Sequence, residues 1–332
     1  MNTFLLWSMG AFSSGFSPLL NEDAFLVLDK PTGLTSQQVV AQVKRLLGCR
    51  KVGHTGTLDP LATGVLPLAL NRATRLIQYL DEGRKVYSGE IEFGVETDTL
   101  DRDGQVTARF AGPLDFSASR IAEVFERYHG SLLQTAPLYS AIKTKGRPLY
   151  AYARSGIAVE APERRIEIDG FELLSWNSPL AAFRVCCSRG TYVRSLAADV
   201  GRDLGCGARI WSLCREASGP FTLERALSLP ALTEMVSTGQ LLPLLAPQQA
   251  LTHLPCLRID DNESLRDIAH GLPLVREAVK DRIPSSWPAD QQVLLLDKTD
   301  SVLALARLEK TSEDSLLRLL RVMTVPERHK AF

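Results

Sequence analysis

From residue 53 to 64 the chain sets three glycines and a proline around one carboxylate. The run reads Gly53-His54-Thr55-Gly56-Thr57-Leu58-Asp59-Pro60 and closes at Gly64. Glycine weakens helix and strand alike, and Pro60 has no amide hydrogen to give to either. The segment is therefore expected as a loop, and the elements on both sides must be arranged to hold it. Two readings fit Asp59. Asp-Pro is a common turn former. A carboxylate fixed on a glycine-rich loop, with its backbone pushed toward extended geometry by the following proline, is also a candidate nucleophile or base. A phosphate-binding P-loop is excluded, because no Gly-Lys-Ser/Thr follows.

The flanks divide into short elements. Residues 25–28 read as a buried strand, ended by Asp29-Lys30-Pro31 and Gly33. Ser36 is expected to cap a helix whose stripe is Val39, Val40, Val43, Leu46 and Leu47, with Gly48 at its end. Residues 65–70 are strand-like, and 73–80 can form a short helix. Residues 86–93 alternate, with Tyr87, Gly89, Ile91 and Phe93 on one face. A helix over 121–128, strands over 165–174 and 182–187, and a helix capped by Ser195 and running to 204 follow. Strands alternating with isolated helices predict a mixed sheet with helices packed on it. Pro243, Pro247 and Pro255 mark an expected linker. Beyond it, 293–296, 302–308 and 316–322 read as strands of a small β-rich module.

The 332 residues are enough for two domains, and 45% hydrophobic with 23% charged residues is ordinary for a globular chain. Lys+Arg and Asp+Glu total 38 each, so overall charge points to no partner. Its distribution is more informative. Lys143, Lys145, Arg147 and Arg154 have no acid among them. Arg184, Arg189, Arg194, Arg202, Arg209 and Arg215 are opposed over the same stretch only by Asp199 and Asp203 under this reading. Such segregation would give a basic face suited to phosphate, or simply solvated faces. The six cysteines form no Cys-x-x-Cys pair and no Cys/His cluster, so they are read as reduced thiols and no metal is expected. No apolar run reaches membrane-spanning length, and a cytoplasmic location is expected. Residues 1–23 are expected to be a disordered extension.

Further motifs follow the loop in order. Asp29-Lys30-Pro31-x-Gly33-x-Thr35-Ser36 precedes it. After it come Ala73-Thr74-Arg75, Lys85-x-Tyr87, Thr97-Asp98-Thr99-x-Asp101-x-x-Gly104, Tyr139-Ser140-Ala141-x-Lys143, Leu149-Tyr150-x-x-Ala153-Arg154-x-Gly156 and Ser188-x-Gly190-Thr191-Tyr192-x-Arg194-Ser195-Leu196. With the loop, these resemble the TruB family of tRNA pseudouridine synthases over residues 24–225. The resemblance implies an α+β fold: a catalytic domain over 24–245 with a mixed, largely antiparallel sheet of pseudouridine-synthase type. A small β-rich module over 250–325 resembles a PUA-type RNA-binding domain, expected to touch the acceptor stem.

The resemblance further implies that Asp59 is the catalytic carboxylate acting on a flipped uridine, uridine 55 of the tRNA T-loop, without cofactor or metal. It leaves open whether Asp59 attacks the ribose carbon, attacks the base, or first removes a proton. Tyr87 would stack on the base, Arg194 would pair with Asp59, and Leu213 would form an apolar wall. Tyr192, two residues before Arg194, would point the same way in an extended segment. His54 would enter the RNA or hold the loop, and Lys30 would contact phosphate or the loop. The implied partner is tRNA, whose folding the enzyme would also assist, with no membrane, no obligate protein partner and a monomeric enzyme. Rival readings are a non-catalytic RNA binder and the guide-RNA-dependent branch, whose Lys-rich tails this sequence lacks. Three positions depart from the family pattern: Asn71 where Gly is common, Ala136 for one of two prolines, and Cys214 for an arginine.

Overall fold

The computed structural model describes residues 20–80, 83–275, 279, 281–310 and 315–323. Its largest element is a ten-stranded sheet. The central path runs Leu227–Ser228, Phe25–Lys30, Thr63–Leu70, Ala208–Ser218, Lys85–Phe93, Leu180–Cys187, Glu163–Asn177 and Gly130–Thr135. The pairings of Phe25–Lys30 with Leu227–Ser228 and of Thr63–Leu70 with Ala208–Ser218 are parallel. The remaining pairings along this path are antiparallel. The fold is thus α+β with a mixed, largely antiparallel sheet.

One face of the sheet buries Tyr87, Ile91, Phe93, Ile210 and Leu213 with helix residues Val124, Phe125, Leu196 and Val200. On the other face, Phe25, Val27, Val65 and Ala69 pack against Leu294, Leu296 and Leu305 of a second sheet. That sheet has four strands, Cys256–Arg258, Gln292–Leu296, Val302–Lys310 and Ser315–Val322. The first of these was not expected, since three residues carry no alternation to read. The expected linker is also packed rather than free. Leu245 pairs with Phe25, Pro247–Ala250 is a helical turn, and Leu251 and Leu254 are core residues. The prolines mark a change of structure, not a loss of it.

Several local expectations shift. Thr35, not Ser36, caps the helix Ser36–Leu46, in a capping box with Gln38. Ser36 is thereby released to bind elsewhere. Residues 71–80 form two 3-10 turns, Asn71–Arg75 and Ile77–Tyr79, instead of one helix. The helix Val193–Asp203 starts after Tyr192, so Ser195 lies inside its first turn and not at its cap. The segment Tyr192–Arg194 is consequently a helix start and not extended chain. Residues 1–19 of the expected extension lie outside the described residues. Residues 20–23, however, are held: Asn71 Nδ2 donates to the carbonyls of Leu20 and Glu22, and Arg72 pairs with Asp23 at 2.8 Å. Asn71 itself has φ of 51°, in the left-handed region. That accounts for an asparagine where glycine is usual, because asparagine tolerates this region and its amide can bond nearby backbone. Ala136 is equally accommodated, since its amide donates to the Pro162 carbonyl, which a proline could not do.

Candidate functional site

The glycine-rich segment is tightened at both ends by strand. Val52–His54 and Thr63–Leu70 pair antiparallel, with Gly53 opposite Ala69 and His54 opposite Leu68. The loop proper is therefore 55–62, shorter than expected. Its backbone polar groups are taken up by the segment 30–36. Ser36 Oγ donates to the Leu58 carbonyl and accepts from the Leu58 amide, at 3.1 and 2.8 Å. Gly33 donates to the Pro60 carbonyl, and Thr32 Oγ1 donates to the Leu61 carbonyl. From the other side, the fully buried Arg215 donates from Nε to Val65 and from Nη2 to Gly56. Gly64 must be glycine: its φ is 98°, and an added Cβ would stand 2.3 Å from the Arg215 carbonyl oxygen.

Lys30, expected to contact phosphate or the loop, is a loop contact. It is fully buried, and Nζ donates to the carbonyls of Pro31, Leu34 and Pro60 at 2.8, 2.7 and 3.2 Å. Burial pulls its pKa down to about 8, with the Asp59 charge working against that and the Arg215 charge adding to it. Lys30→Met should therefore strand three carbonyls beside the loop. We expect a loss of about 3 kcal/mol, read from the urea unfolding midpoint.

Asp59 does not use its side chain for the turn. The turn is carried by backbone, the Ala62 amide donating to the Asp59 carbonyl at 3.1 Å. Both carboxylate oxygens instead accept from Arg194, Nε to Oδ2 at 2.8 Å and Nη2 to Oδ1 at 3.1 Å. This is the two-pronged geometry that fixes a carboxylate in direction as well as charge. Arg194 is only 4% exposed and Asp59 33%. The other donors of Arg194 are also committed. Nη1 donates to the Thr99 carbonyl and Nη2 also to that of Tyr139, while the Asp101 carboxylate lies 3.6 Å from Nη1. Asp101 is buried, which lifts its carboxyl above the ordinary range, opposed by the Thr99 hydroxyl and by Arg194.

The helix carrying Arg194 is anchored by Gln134. Its side chain accepts from the Tyr192 amide at 2.8 Å and donates to the Tyr192 carbonyl at 3.0 Å. Asp59, Tyr87, Tyr192, Arg194 and Leu213 all line one cavity of about 370 Å³, joined by Lys85, Tyr139 and Tyr150. Its walls combine tyrosine rings and apolar side chains with the polar Thr57, Asp59, Lys85, Ser140, Thr191 and Arg194, a mixture suited to a small polar ring. Burial raises the Tyr87 hydroxyl above the usual phenol range, against the pull of Arg215, its cross-strand partner. Arg164 lies over the Tyr192 ring, 5.4 Å from its centroid.

His54 is not among the lining residues; it is half-buried at the end of Val52–His54, and burial followed by the Arg215 charge lowers its pKa. Of the two readings of the six arginines, a single basic face is not the one seen, although Arg189 is exposed. Arg194 and Arg215 are buried, and Arg184, Arg202 and Arg209 pair with Glu216, Asp199 and Glu92. Lys143, Lys145, Arg147 and Arg154, in contrast, are exposed on the segment that also supplies Tyr139 and Tyr150 to the cavity rim. Gln134, Asp101, Lys85 and Arg215 were not nominated from sequence. Lys85 and Asp101 lie inside the ordered motifs quoted above, which was the available signal; for Gln134 there was none.

Among the described residues no His/Cys/Asp/Glu cluster of metal-binding form occurs, and no helix is long and apolar enough to cross a membrane. All six cysteines are free.

The sequence model for the TruB family pseudouridylate synthase N-terminal domain matches residues 44–193. tRNA pseudouridine synthase B of Geobacter sulfurreducens is 44% identical over 305 residues, covering 90% of this chain and 99% of that protein. The enzyme of the same name from Syntrophobacter fumaroxidans is 48% identical over 247 residues, covering 74% and 80%. Among solved structures, the archaeal box H/ACA sRNP Nop10–Cbf5 complex superposes with a TM-score of 0.68 at 25% identity, over 94% of this chain and 92% of that one. An H/ACA RNP bound to a substrate RNA containing 2′-deoxyuridine gives 0.67 at 25% identity, over 91% and 85%. A loop carboxylate locked by a buried arginine beside an aromatic cavity, together with a 44% identical relative matched over nearly its whole length, settles the family: the chain belongs to the TruB family of pseudouridylate synthases.

Proposed function

We propose that this chain isomerises uridine 55 in the T-loop of tRNA to pseudouridine, with Asp59 as the catalytic carboxylate. The observation that carries the reading is the cavity itself: Asp59 is the carboxylate in its lining, and Arg194 holds it at both oxygens and so fixes its direction. Pseudouridine formation breaks a C–N glycosidic bond and makes a C–C bond to the same ring. The uracil must therefore be retained between the two events, away from water. A target inside a folded T-loop has to be flipped out, at a cost of a few kcal/mol in lost stacking. Tyr87 offers a ring face for the flipped base, and Leu213 an apolar wall. Tyr192, steadied by Arg164 and Gln134, would close the cavity on the opposite side. His54 would contact RNA outside the cavity.

Backbone and shape recognition by the exposed Lys143, Lys145, Arg147 and Arg154 suits a folded RNA partner. The segment 250–325 would reach the acceptor stem as a PUA-like domain, with the enzyme acting as a monomer in the cytoplasm and without a guide RNA. The name tRNA pseudouridine synthase B, borne by relatives at 44–48% identity, supports tRNA over other RNAs.

The test is tritium release from C5-labelled uridine in a tRNA T-loop by the purified protein alone. Turnover is expected; tight tRNA binding without release would replace this reading with a non-catalytic one. Replacing Lys143 and Arg147 by Ala should weaken tRNA binding on the order of tenfold. It should also lower the slope of log K against log salt by about one per charge removed. An unchanged slope would remove these residues from the phosphate contacts.

A further inference from the structure

Cleavage of the glycosidic bond poses an electrostatic problem that the residues discussed above do not solve. When C1′–N1 breaks, its electron pair leaves with the ring, and the uracil carries one negative charge shared among N1, O2 and O4. The charge is consumed when C5 bonds to C1′, C5 then loses its proton, and N1 ends with one. No redox partner or external group is needed. The ribose carbon is left either cationic or bonded to Asp59, so the net charge of the cavity is unchanged, but one negative charge now lies on the ring, in a pocket of about 370 Å³ whose lining includes Leu58, Ala62, Val193 and Leu213.

Two lining residues are cationic, Arg194 and Lys85. Arg194 is fully engaged with Asp59, the carbonyls of Thr99 and Tyr139, and Asp101 beyond. Its charge already lies between two carboxylates. Lys85 is 8% exposed and two residues before Tyr87, on the same face of Lys85–Phe93. Its ammonium reaches back to the loop: a Cβ placed on Gly56 would stand 3.4 Å from Nζ. A base stacked on Tyr87 would hold its carbonyl oxygens within range of a four-carbon stem rising from the neighbouring position on that face.

We propose that Lys85 is a further catalytic residue, its ammonium stabilising the negative charge that accumulates on the uracil carbonyls as the ring detaches. It acts on the departing base, and it costs no reorganisation because the pocket already holds it. The proposal rests on the cavity being a uridine site. Wild-type turnover in the same assay tests that reading separately.

The experiment compares wild type, Lys85→Met and Lys85→Arg in single turnover, on tRNA carrying either uridine or 5-fluorouridine at the target position. Consumption of the target nucleotide is followed by digestion and chromatography, and tRNA affinity is measured over a range of salt. Lys85→Met is expected to slow conversion of uridine on the order of 100-fold with tRNA affinity unchanged. Lys85→Arg, which keeps the charge, is expected to recover most of that rate. Fluorine withdraws electron density and stabilises the same anion, so the Met variant should lose at least tenfold less on the fluorinated substrate. Equal losses on the two substrates would make Lys85 a structural residue. Equal losses in the Arg and Met variants would remove the charge from the explanation. A loss confined to tRNA affinity, with a shallower salt dependence, would make it a phosphate contact.

Discussion

Asp59→Ala should abolish tritium release, lowering the rate on the order of 10⁴-fold or more, while tRNA still binds. The expectation is sharp because the loss should not be structural. The carboxylate is one-third exposed, and the turn at this position is made by the Ala62 amide and the Asp59 carbonyl, which alanine keeps. Arg194 would retain the Thr99 and Tyr139 carbonyls and the nearby Asp101, so its charge stays compensated. Unfolding should move by only about 1 kcal/mol. Release by the variant at the wild-type rate would remove Asp59 from the chemistry altogether.

The second large effect is on Arg194. Arg194→Met should combine a kinetic loss on the order of 10³-fold with a stability loss of about 3–5 kcal/mol, because a buried partner is removed from a charged pair. The kinetic part follows from an Asp59 no longer held at two points. The stability part falls mainly on Asp101, which is buried and loses a neighbouring cation. Its pH dependence has a definite sign. Burial already raises the Asp101 carboxyl above its ordinary value of 3.8, and losing Arg194 raises it further. The folded state then holds the proton more tightly than the unfolded chain. Stability is fully present below the ordinary value and is lost as pH rises through the raised one. The deficit of the variant against wild type should therefore be larger at pH 8 than at pH 5, measured by urea midpoints. A deficit independent of pH would clear Asp101 as its source. Arg194→Lys should not restore the kinetic loss, since a single ammonium cannot reproduce the fork.

The parts of this site that were legible in the sequence are those whose signal is local. The loop is visible because Gly56, Asp59, Pro60 and Gly64 are close together, and the strand Lys85–Phe93 because its alternation is clean. The cavity was reached by resemblance, which brought Tyr87, Tyr192, Arg194 and Leu213 forward from separate motifs. What the sequence could not show is orientation. A row of six arginines looks like a basic surface, yet Arg194 and Arg215 point into the interior and three others are neutralised by neighbouring acids. Tyr192 and Arg194 were expected to align through an extended backbone, and they meet instead at the start of a helix. Gln134 was invisible for the same reason: its partner is a backbone amide 58 residues away. The departures at Asn71 and Ala136 became intelligible only with a dihedral angle and a hydrogen bond in hand.

Asp59 is put in place by residues drawn from almost two hundred positions of sequence. Ser36 is 22 residues from its partner in the loop and Lys30 is 30 away. Arg194 lies 135 away, and Arg215 reaches Gly56 across 159. Contacts of such long range form late, since each must overcome the entropy of closing a long loop. During synthesis the loop emerges early and should wait without its clamp until the strand Ala208–Ser218 has left the ribosome. A nascent chain is thus expected to carry Asp59 unclamped until Arg215, 159 positions beyond Gly56, has been made, and to gain activity only once that strand has joined the sheet.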